Sequence, residues 1–195
     1  MAQPLSRFPV PETIDHLPDD LKERILSVQE KAGFIPNVFL MLAHRPLEMR
    51  AFFDYHDALM ERESDTLTPA EKEMIVVATS ARNQCLYCVV AHGAILRIYS
   101  KDPLGADQIA VNHKTADISE RERVMLDFAL YVSQEVGELN DDWEQKLQVV
   151  GFSQDDIWDI GAITAFFGLS NRLVSLTNTP PNPEFYLLGR LPKEK

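Results

Sequence analysis

The chain has 195 residues, of which 45% are hydrophobic and 25% charged, a balance that is ordinary for a globular protein with one core. Its formal net charge of −11 argues against nucleic acid as a partner, because nucleic-acid affinity comes largely from clustered lysine and arginine. The longest apolar runs, 74–81 and 160–169, fall short of the roughly 20 residues that cross a bilayer, and the N-terminus does not resemble a secretory signal. We therefore expect a cytoplasmic protein with no membrane partner.

The N-terminal part of the chain is predicted to be an extended arm followed by three helices. The arm, residues 1–17, contains three prolines and little helical periodicity. Apolar residues spaced three and four apart, a terminating glycine and two initiating prolines then define the helices. They are predicted from Asp19 to the stop at Gly33, from Pro36 to Leu42, and from Pro46 to about Glu63.

The next helix has the clearest start in the chain. In Thr68-Pro69-Ala70-Glu71 the threonine can cap the helix, the proline suits its first turn and the glutamate completes a capping box. Beyond its first two turns this helix is apolar nearly all round as far as Ala81, so we expect it at the centre of the core. The polar break Arg82-Asn83-Gln84 separates it from a helix running from about Cys85 to Tyr99.

The C-terminal part is predicted to contain four further helices and a tail. Two begin at capping-box patterns, at Ser119 and Ser153, and the second of these continues to about Leu176. Shorter helices are predicted within 101–114 and 141–149, and the proline-rich residues 179–195 are expected to form the tail. No stretch shows strand alternation bounded by turn signals. The sequence therefore predicts an all-α protein with a single helical domain over residues 18–178.

Two cysteines and a histidine share one face of the helix that is predicted to begin near Cys85. Positions three, four and seven apart lie on the same side of a helix with about 3.6 residues per turn, so Cys85, Cys88 and His92 line up. The free amides and the dipole of a helix start favour thiolate, and the spacing lets the two sulfurs close a disulfide. An imidazole one turn further along can exchange a proton near neutral pH. The pattern indicates a nucleophile, a resolving thiol and a base.

Glu73 is the candidate partner of this group from the preceding helix. Capping does not require it, because Glu71 already completes the capping box, yet it points into increasingly apolar surroundings. If the polar break turns the chain back, the two helices run antiparallel and Glu73 approaches the helix that carries the cysteines.

A structural zinc site is the main alternative for the cysteine pair. Tetrahedral zinc sites need four protein ligands, and the second C-x-x-C or histidine pair that normally completes them is missing, although Cys85, Cys88, His92 and Glu73 could themselves supply three or four. Redox chemistry is the favoured interpretation, with no metal or other cofactor. Of the remaining histidines only His56, in an aromatic segment, is a candidate for lining a pocket.

The residues from Glu73 to His92 resemble the signature of a known family. The spacing of a glutamate, eleven residues, Cys-x-x-Cys, three residues and a histidine is similar to that of the AhpD-like alkylhydroperoxidases within the carboxymuconolactone decarboxylase family. The segment Gly33-Phe-Ile-Pro-Asn-Val-Phe and the region of Asn171 and Arg172 also resemble the branch of uncharacterised peroxidase-related enzymes. The resemblance covers nearly the whole chain.

The resemblance implies an all-helical, AhpD-like bundle that forms a homo-oligomer (dimer, trimer or hexamer) and reduces hydroperoxides to alcohols while its dithiol becomes a disulfide. By the same resemblance Cys88 is the peroxidatic thiol, Cys85 the resolving thiol, and Glu73 with His92 the proton relay. Helix-dipole reasoning instead makes Cys85 the more acidic thiol. A lipoyl-bearing or thioredoxin-like thiol donor is the expected reductant.

Tyr87 departs from the family pattern. AhpD proper has a histidine between its cysteines, whereas this chain has a tyrosine, which does not titrate near neutral pH. General thiol-disulfide exchange with weak peroxidase activity therefore stays open as an alternative. A carboxymuconolactone-type decarboxylase and a zinc-stabilised module also stay open, but the presence of the dithiol argues against the decarboxylase.

Overall fold

The computed structural model describes residues 4–140 and 142–190, and within these residues it contains nine α-helices and no strand. The predicted all-α class is confirmed. In chain order the helices are α1 Asp19–Ala32, α2 Asn37–Leu42, α3 Pro46–Met60, α4 Pro69–Arg82, α5 Leu86–Ser100, α6 Gly105–Asn112, α7 Glu120–Gln134, α8 Asp142–Val149 and α9 Gln154–Thr177.

The helix boundaries follow local signals closely. The hydroxyls at Thr68, Ser119 and Ser153 each accept a hydrogen bond from the backbone three residues on, and all three capping boxes are complete. Helix α1 ends at Gly33, whose φ of 84° is in the left-handed region that glycine adopts without strain. The predicted starts of α4, α7 and α9 are thereby confirmed.

Helix α3 ends earlier than predicted, at Met60 rather than near Glu63. The buried side chain of Lys72, from α4, donates hydrogen bonds to the carbonyls of Leu59 (2.9 Å) and Arg62 (2.7 Å). These bonds satisfy carbonyl groups at the end of the helix and let the chain turn away toward α4.

Two of the shorter predicted helices also differ at their ends. The helix predicted within 101–114 is limited to α6, because Lys101 ends α5 in a left-handed conformation and the chain needs three further residues before α6 begins. The prediction for 141–149 corresponds to α8, which starts at Asp142, and residue 141 itself lies outside the described residues.

Helix α4 occupies the centre of the bundle, where it packs against α5, α6, α7 and α9. Every residue from Glu71 to Ser80 is buried, which includes the apolar part of the helix that was predicted to lie at the centre of the core and also its charged first turn. One group of buried apolar side chains joins α4 to α6, α7, α8 and α9, and a second joins α1, α2, α3 and α5. Both cysteines belong to the second group, beside the central helix.

The two ends of the described chain pack on the helices. Arg7 donates its backbone N–H to the Thr177 carbonyl at 2.8 Å, so the N-terminal arm lies against the end of α9. The segment predicted as a tail forms a short 3-10 turn at Pro183–Tyr186, and buried Arg97 of α5 donates to the carbonyls of Phe185 and Leu188. Residues 1–3 of the predicted arm and 191–195 of the predicted tail lie outside the described residues.

Helix α9 is, within the described residues, the one helix long and apolar enough to span a bilayer by length and composition. It nevertheless packs against α3, α4 and α7 and buries the polar residues Asp156, Asp159 and Asn171. Those contacts are typical of the core helix of a bundle.

Candidate active site

The dithiol is delivered by the tight turn between α4 and α5. Gln84 takes a φ of 56°, and the backbone N–H of Cys85 donates to the Ser80 carbonyl at 2.9 Å. Cys85 is the residue that precedes the first turn of α5, and Cys88 follows within that turn. Both thiols are free and each residue is only 1% exposed. The structure thus places both sulfurs at the helix start that the sequence predicted.

Glu73 and His92 form a close pair at the same hairpin. The Glu73 carboxylate lies 2.7 Å from His92 Nδ1, and both side chains are largely buried. Ser80 contacts Cys85 near the turn and Glu73 contacts His92 farther from it, so α4 and α5 run antiparallel. When the carboxylate is ionised it only accepts hydrogen bonds, so Nδ1 is the donor of this contact and Nε2 is the ring nitrogen that remains for proton transfer.

The two thiols differ in acidity. The hydrogen bond from the Cys88 thiol is the main cause that lowers the pKa of Cys85 to about 7, and nearby His92 acts in the same direction. The same hydrogen bond and deep burial raise the pKa of Cys88 well above its usual value. In the reduced protein the thiolate therefore lies preferentially on Cys85, at the position nearest the helix start.

Asn171 of α9 is a polar neighbour of the dithiol that the sequence did not single out as part of the site. It is 2% exposed, its carbonyl oxygen accepts from Asn83 Nδ2 at 2.8 Å, and its own Nδ2 donates to Ser80 Oγ at 2.9 Å. The next residue back, Ser170, places its hydroxyl 3.9 Å from Cys88 Sγ. A Ser-Asn pair that follows the apolar stretch 160–169 of α9 was the available signal, but only the packing of α9 on the turn shows which residues the pair contacts.

His56 and His92 both contact the ring of Phe167. The Phe167 ring stands edge-on to His92, with ring centroids 4.7 Å apart, and its centroid is 6.4 Å from that of His56. Burial lowers the pKa of His56, and His92 acts in the same direction, whereas Asp57 at 3.0 Å opposes both. The sequence identified His56 only as a candidate for pocket lining, and the structure places it beside the candidate site.

The Tyr87 hydroxyl is engaged with the backbone of α2 and does not take part in proton transfer near neutral pH. Its hydroxyl accepts a hydrogen bond from the Val38 backbone N–H at 3.2 Å, and its ring packs edge-on against Phe185. Burial raises the pKa of Tyr87 above its usual range, so the phenol stays neutral. The residue between the cysteines anchors α5 to α2 and to the C-terminal segment.

No three histidine, cysteine, aspartate or glutamate side chains converge as metal ligands anywhere in 4–140 or 142–190. The pair Glu73 and His92 and the pair Cys85 and Cys88 each make their own internal contact. The zinc alternative therefore has no ligand set among these residues.

Comparison with known proteins gives three matches that inform this site. The model of the carboxymuconolactone decarboxylase family matches residues 46–109, which include all four candidate residues. The chain is 63% identical to an uncharacterized peroxidase-related protein with an alkylhydroperoxidase AhpD core from Ralstonia eutropha JMP134, with a TM-score of 0.95 over 98% of this chain and 100% of that one. It is 37% identical to an uncharacterized peroxidase-related protein from Silicibacter sp. TM1040, with a TM-score of 0.89 over 96% and 97% of the two chains.

A more distant structure shares the fold alone. The debrominase Bmp8 is 20% identical to the chain and has a TM-score of 0.72, with 95% of each chain covered. No curated protein matches the chain.

Proposed function

The chain belongs to the AhpD-like group of the carboxymuconolactone decarboxylase family, and from that premise we propose that it reduces alkyl hydroperoxides through a dithiol-disulfide cycle at Cys85 and Cys88. Family membership supports an antioxidant role of the alkylhydroperoxidase type in general. The cycle, and the proton relay through Glu73 and His92, are the specific parts of the proposal.

One observation carries the proposal. The α4–α5 hairpin holds two free thiols, Cys85 and Cys88, together with an imidazole, His92, that is bound by the Glu73 carboxylate. Cys85 has a pKa lowered to about 7, so a large share of it is thiolate near neutral pH. His92, whose Nδ1 lies 2.7 Å from the Glu73 carboxylate, is the group that we propose as the proton carrier. Thiolate and proton carrier together are what reductive cleavage of an O–O bond needs.

The proposed reaction has two steps, cleavage of the O–O bond by one thiolate and formation of the disulfide by the second thiol. A thiolate attacks the terminal oxygen of the hydroperoxide, the O–O bond breaks, and the departing alkoxide leaves as an alcohol after accepting a proton. The attacking sulfur is then a sulfenic acid, which the second thiol attacks to form the disulfide and release water. The two sulfurs lose two electrons in total and the peroxide gains them. His92 and Glu73 carry the proton from thiol to leaving group.

The order in which the two thiols act is a separate part of the proposal. Family resemblance assigns the attack to Cys88, whereas the hydrogen bond between the thiols places the resting thiolate on Cys85. Because the pair shares one proton, transfer of that proton between the sulfurs makes either one the nucleophile. We propose that Cys88 attacks after passing its proton on toward Cys85 and His92.

The cycle also needs a reductant, which we propose to be a small dithiol or a lipoyl group on a partner protein. Each cysteine is 1% exposed, so a slender arm reaches the sulfurs more readily than the surface of a folded protein does. A homo-oligomer is proposed as well. Trp158, Leu169 and Leu176 are exposed on α9, and an apolar face of this kind is suited to contact with another subunit.

General thiol-disulfide exchange is the second candidate function. The observation that favours it is the placement of Tyr87, which leaves the site without the additional titrating side chain that AhpD proper has between its cysteines. Burial of both sulfurs weighs against it, since a protein disulfide must reach them. Comparing turnover on cumene hydroperoxide with turnover on a protein disulfide separates the two candidates.

The decisive experiment measures hydroperoxide consumption with dithiothreitol as reductant for the wild type, Cys88→Ser and Cys85→Ser. We expect both variants to lose about 100-fold or more of the activity, because neither can complete the disulfide. Trapping of sulfenic acid with dimedone should label Cys88 in the Cys85→Ser variant. Label on Cys85 in the Cys88→Ser variant, with none on Cys88 in the Cys85→Ser variant, would reverse the roles. Wild-type activity in both variants would overturn the proposed cycle.

A further inference from the structure

Asn171 connects helix α9 to the turn that carries the dithiol. Its carbonyl oxygen is held by Asn83, the residue that ends α4, and its side-chain nitrogen is held by Ser80 in the last turn of α4. The Ser80 carbonyl in turn receives the backbone N–H of Cys85. The same short segment therefore orients both the Asn171 amide and the first cysteine.

The side-chain nitrogen of Asn171 has one hydrogen that is available to the sulfurs. A side-chain amide nitrogen carries two hydrogens, and the bond to Ser80 uses one of them. A buried donor left without an acceptor costs about 1 to 3 kcal/mol, so the second hydrogen needs a partner. Asn171 lies at the dithiol, because the hydroxyl of its neighbour Ser170 is 3.9 Å from Cys88 Sγ and because Ser80 binds both the Asn171 amide and the Cys85 backbone. In that position it lowers the pKa of both thiols, which is the effect of a donor and the opposite of that of an acceptor.

We propose that Asn171 is a thiolate-stabilising residue, whose side-chain N–H faces the sulfurs of Cys85 and Cys88, and that Ser80 and Asn83 are positioning residues that fix the amide in this orientation. The inference depends on the proposed dithiol chemistry but not on a hydroperoxide as the substrate. It gives the site a neutral donor that stabilises negative charge on sulfur without a neighbouring lysine or arginine being required.

The titratable groups around the pair set the background against which this effect is measured. His92 of α5 acts on the Cys85 thiol through its charge, and Glu73 of α4 pairs with His92. His56 of α3 lies on the other side of the Phe167 ring of α9. Within the described residues none of these groups forms a hydrogen bond with Asn171, whose side chain bonds to Ser80 and Asn83 instead.

The test uses mass spectrometry to measure the rate at which iodoacetamide adds the first alkyl group to the fully reduced protein. The rate is measured at a series of pH values, which gives a pH profile of alkylation for each variant. Asn171→Asp keeps the shape but places a carboxylate beside the sulfurs, and a like charge disfavours thiolate. We expect the profile to move up by about one pH unit, which means about tenfold slower alkylation near neutral pH. Asn178→Asp is the matched control, because it makes the same change at an exposed position on the end of α9, and its profile should not move.

Asn83→Ala provides a second variant that leaves Asn171 in place. Loss of the Asn83 donor frees the amide to rotate, so the profile should move in the same direction by a smaller amount. A profile for folded Asn171→Asp that superimposes on the wild type overturns the inference. If that variant does not fold, as judged by circular dichroism, an unchanged profile for Asn83→Ala overturns it instead.

The assay contains no hydroperoxide, which keeps this inference separate from the proposed function. A shifted alkylation profile in a protein without peroxidase activity would refute the proposed substrate and support the role of Asn171. Peroxidase activity together with unshifted alkylation profiles would support the proposed substrate and refute the role of Asn171.

Discussion

The α4–α5 hairpin and helix α9 contribute different kinds of residues to the same site. The hairpin supplies Cys85, Cys88, His92 and Glu73, which all lie within 20 consecutive residues. Helix α9 approaches from about 80 residues away and supplies Ser170, whose hydroxyl lies 3.9 Å from Cys88 Sγ, and Asn171, whose amide binds the end of α4 beside the dithiol. The difference teaches that the reacting groups are local in sequence, whereas the groups that set their environment are brought by the fold.

Loss of the Glu73 charge should give the largest effect on the hairpin side of this comparison. In Glu73→Gln the carboxylate no longer orients His92 or stabilises its protonated form, so we expect hydroperoxide reduction to fall about 100-fold, the usual scale of general acid-base assistance. Steady-state rates with cumene hydroperoxide measure this directly.

Glu71→Gln is the matched control, two residues earlier on the same helix. Glu71 is buried like Glu73, but it serves the capping box and accepts from Arg121 at 2.9 Å. Its replacement should lower stability while the rate per folded molecule stays the same. Equal losses of rate in the two variants would mean that Glu73, too, acts through the fold.

The next effect concerns stability and lies on α9. Burial opposes ionisation of Asp156, but hydrogen bonds from Ser153, Ser64 and Thr66 outweigh it and lower the pKa of Asp156 to about 2. We expect Asp156→Asn to lower the free energy of unfolding by about 2 kcal/mol, since hydrogen bonds to a buried charged group are among the strong ones. Urea unfolding near neutral pH measures the loss.

The same carboxylate predicts a pH dependence with a defined sign. A group whose pKa is lower in the folded than in the unfolded protein stabilises the fold above its unfolded pKa of about 4, and this contribution is lost as pH falls toward 2. The stability difference between wild type and Asp156→Asn should therefore shrink over that interval. Asp155→Asn, at the exposed neighbouring position, should change stability little at any pH, and a similar loss in both variants would contradict the role given to Asp156.

The same division between local and long-range contacts explains how much the sequence could predict. Helix starts at Thr68, Ser119 and Ser153 were predicted because a capping box lies within four residues. The end of α3 was missed because Lys72, from another helix, satisfies its carbonyls. Proline content made residues 179–190 resemble a free tail, although buried Arg97 binds two of their carbonyl groups.

The candidate site divides in the same way. Helical spacing predicted that Cys85, Cys88 and His92 share one side of a helix, and in the structure the antiparallel hairpin brings Glu73 to His92. Asn171 could not be assigned from spacing, because its position depends on how α9 packs on the turn after α4. Tyr87 was identified from the sequence as a residue that does not titrate near neutral pH, and its buried phenol, whose pKa is raised, agrees with that prediction. The sequence could not show that its hydroxyl accepts a hydrogen bond from Val38 and thereby joins α5 to α2.

Tyr87 therefore offers the smallest effect and the sharpest test of whether position in the hairpin implies chemistry. In Tyr87→Phe the ring still packs on Phe185, but the Val38 N–H loses its acceptor, so we expect a loss of about 1 kcal/mol in unfolding free energy. The rate of hydroperoxide reduction should stay within about twofold of the wild type, because a phenol with a raised pKa transfers no proton near neutral pH. Tyr131→Phe, which removes a hydroxyl contact to a backbone carbonyl at an exposed site, controls for the loss of a phenol elsewhere. A tenfold or greater fall in rate for Tyr87→Phe alone would mean that its hydroxyl takes part in the reaction. The hairpin would then contain a reacting group that helical spacing and side-chain direction had both failed to identify.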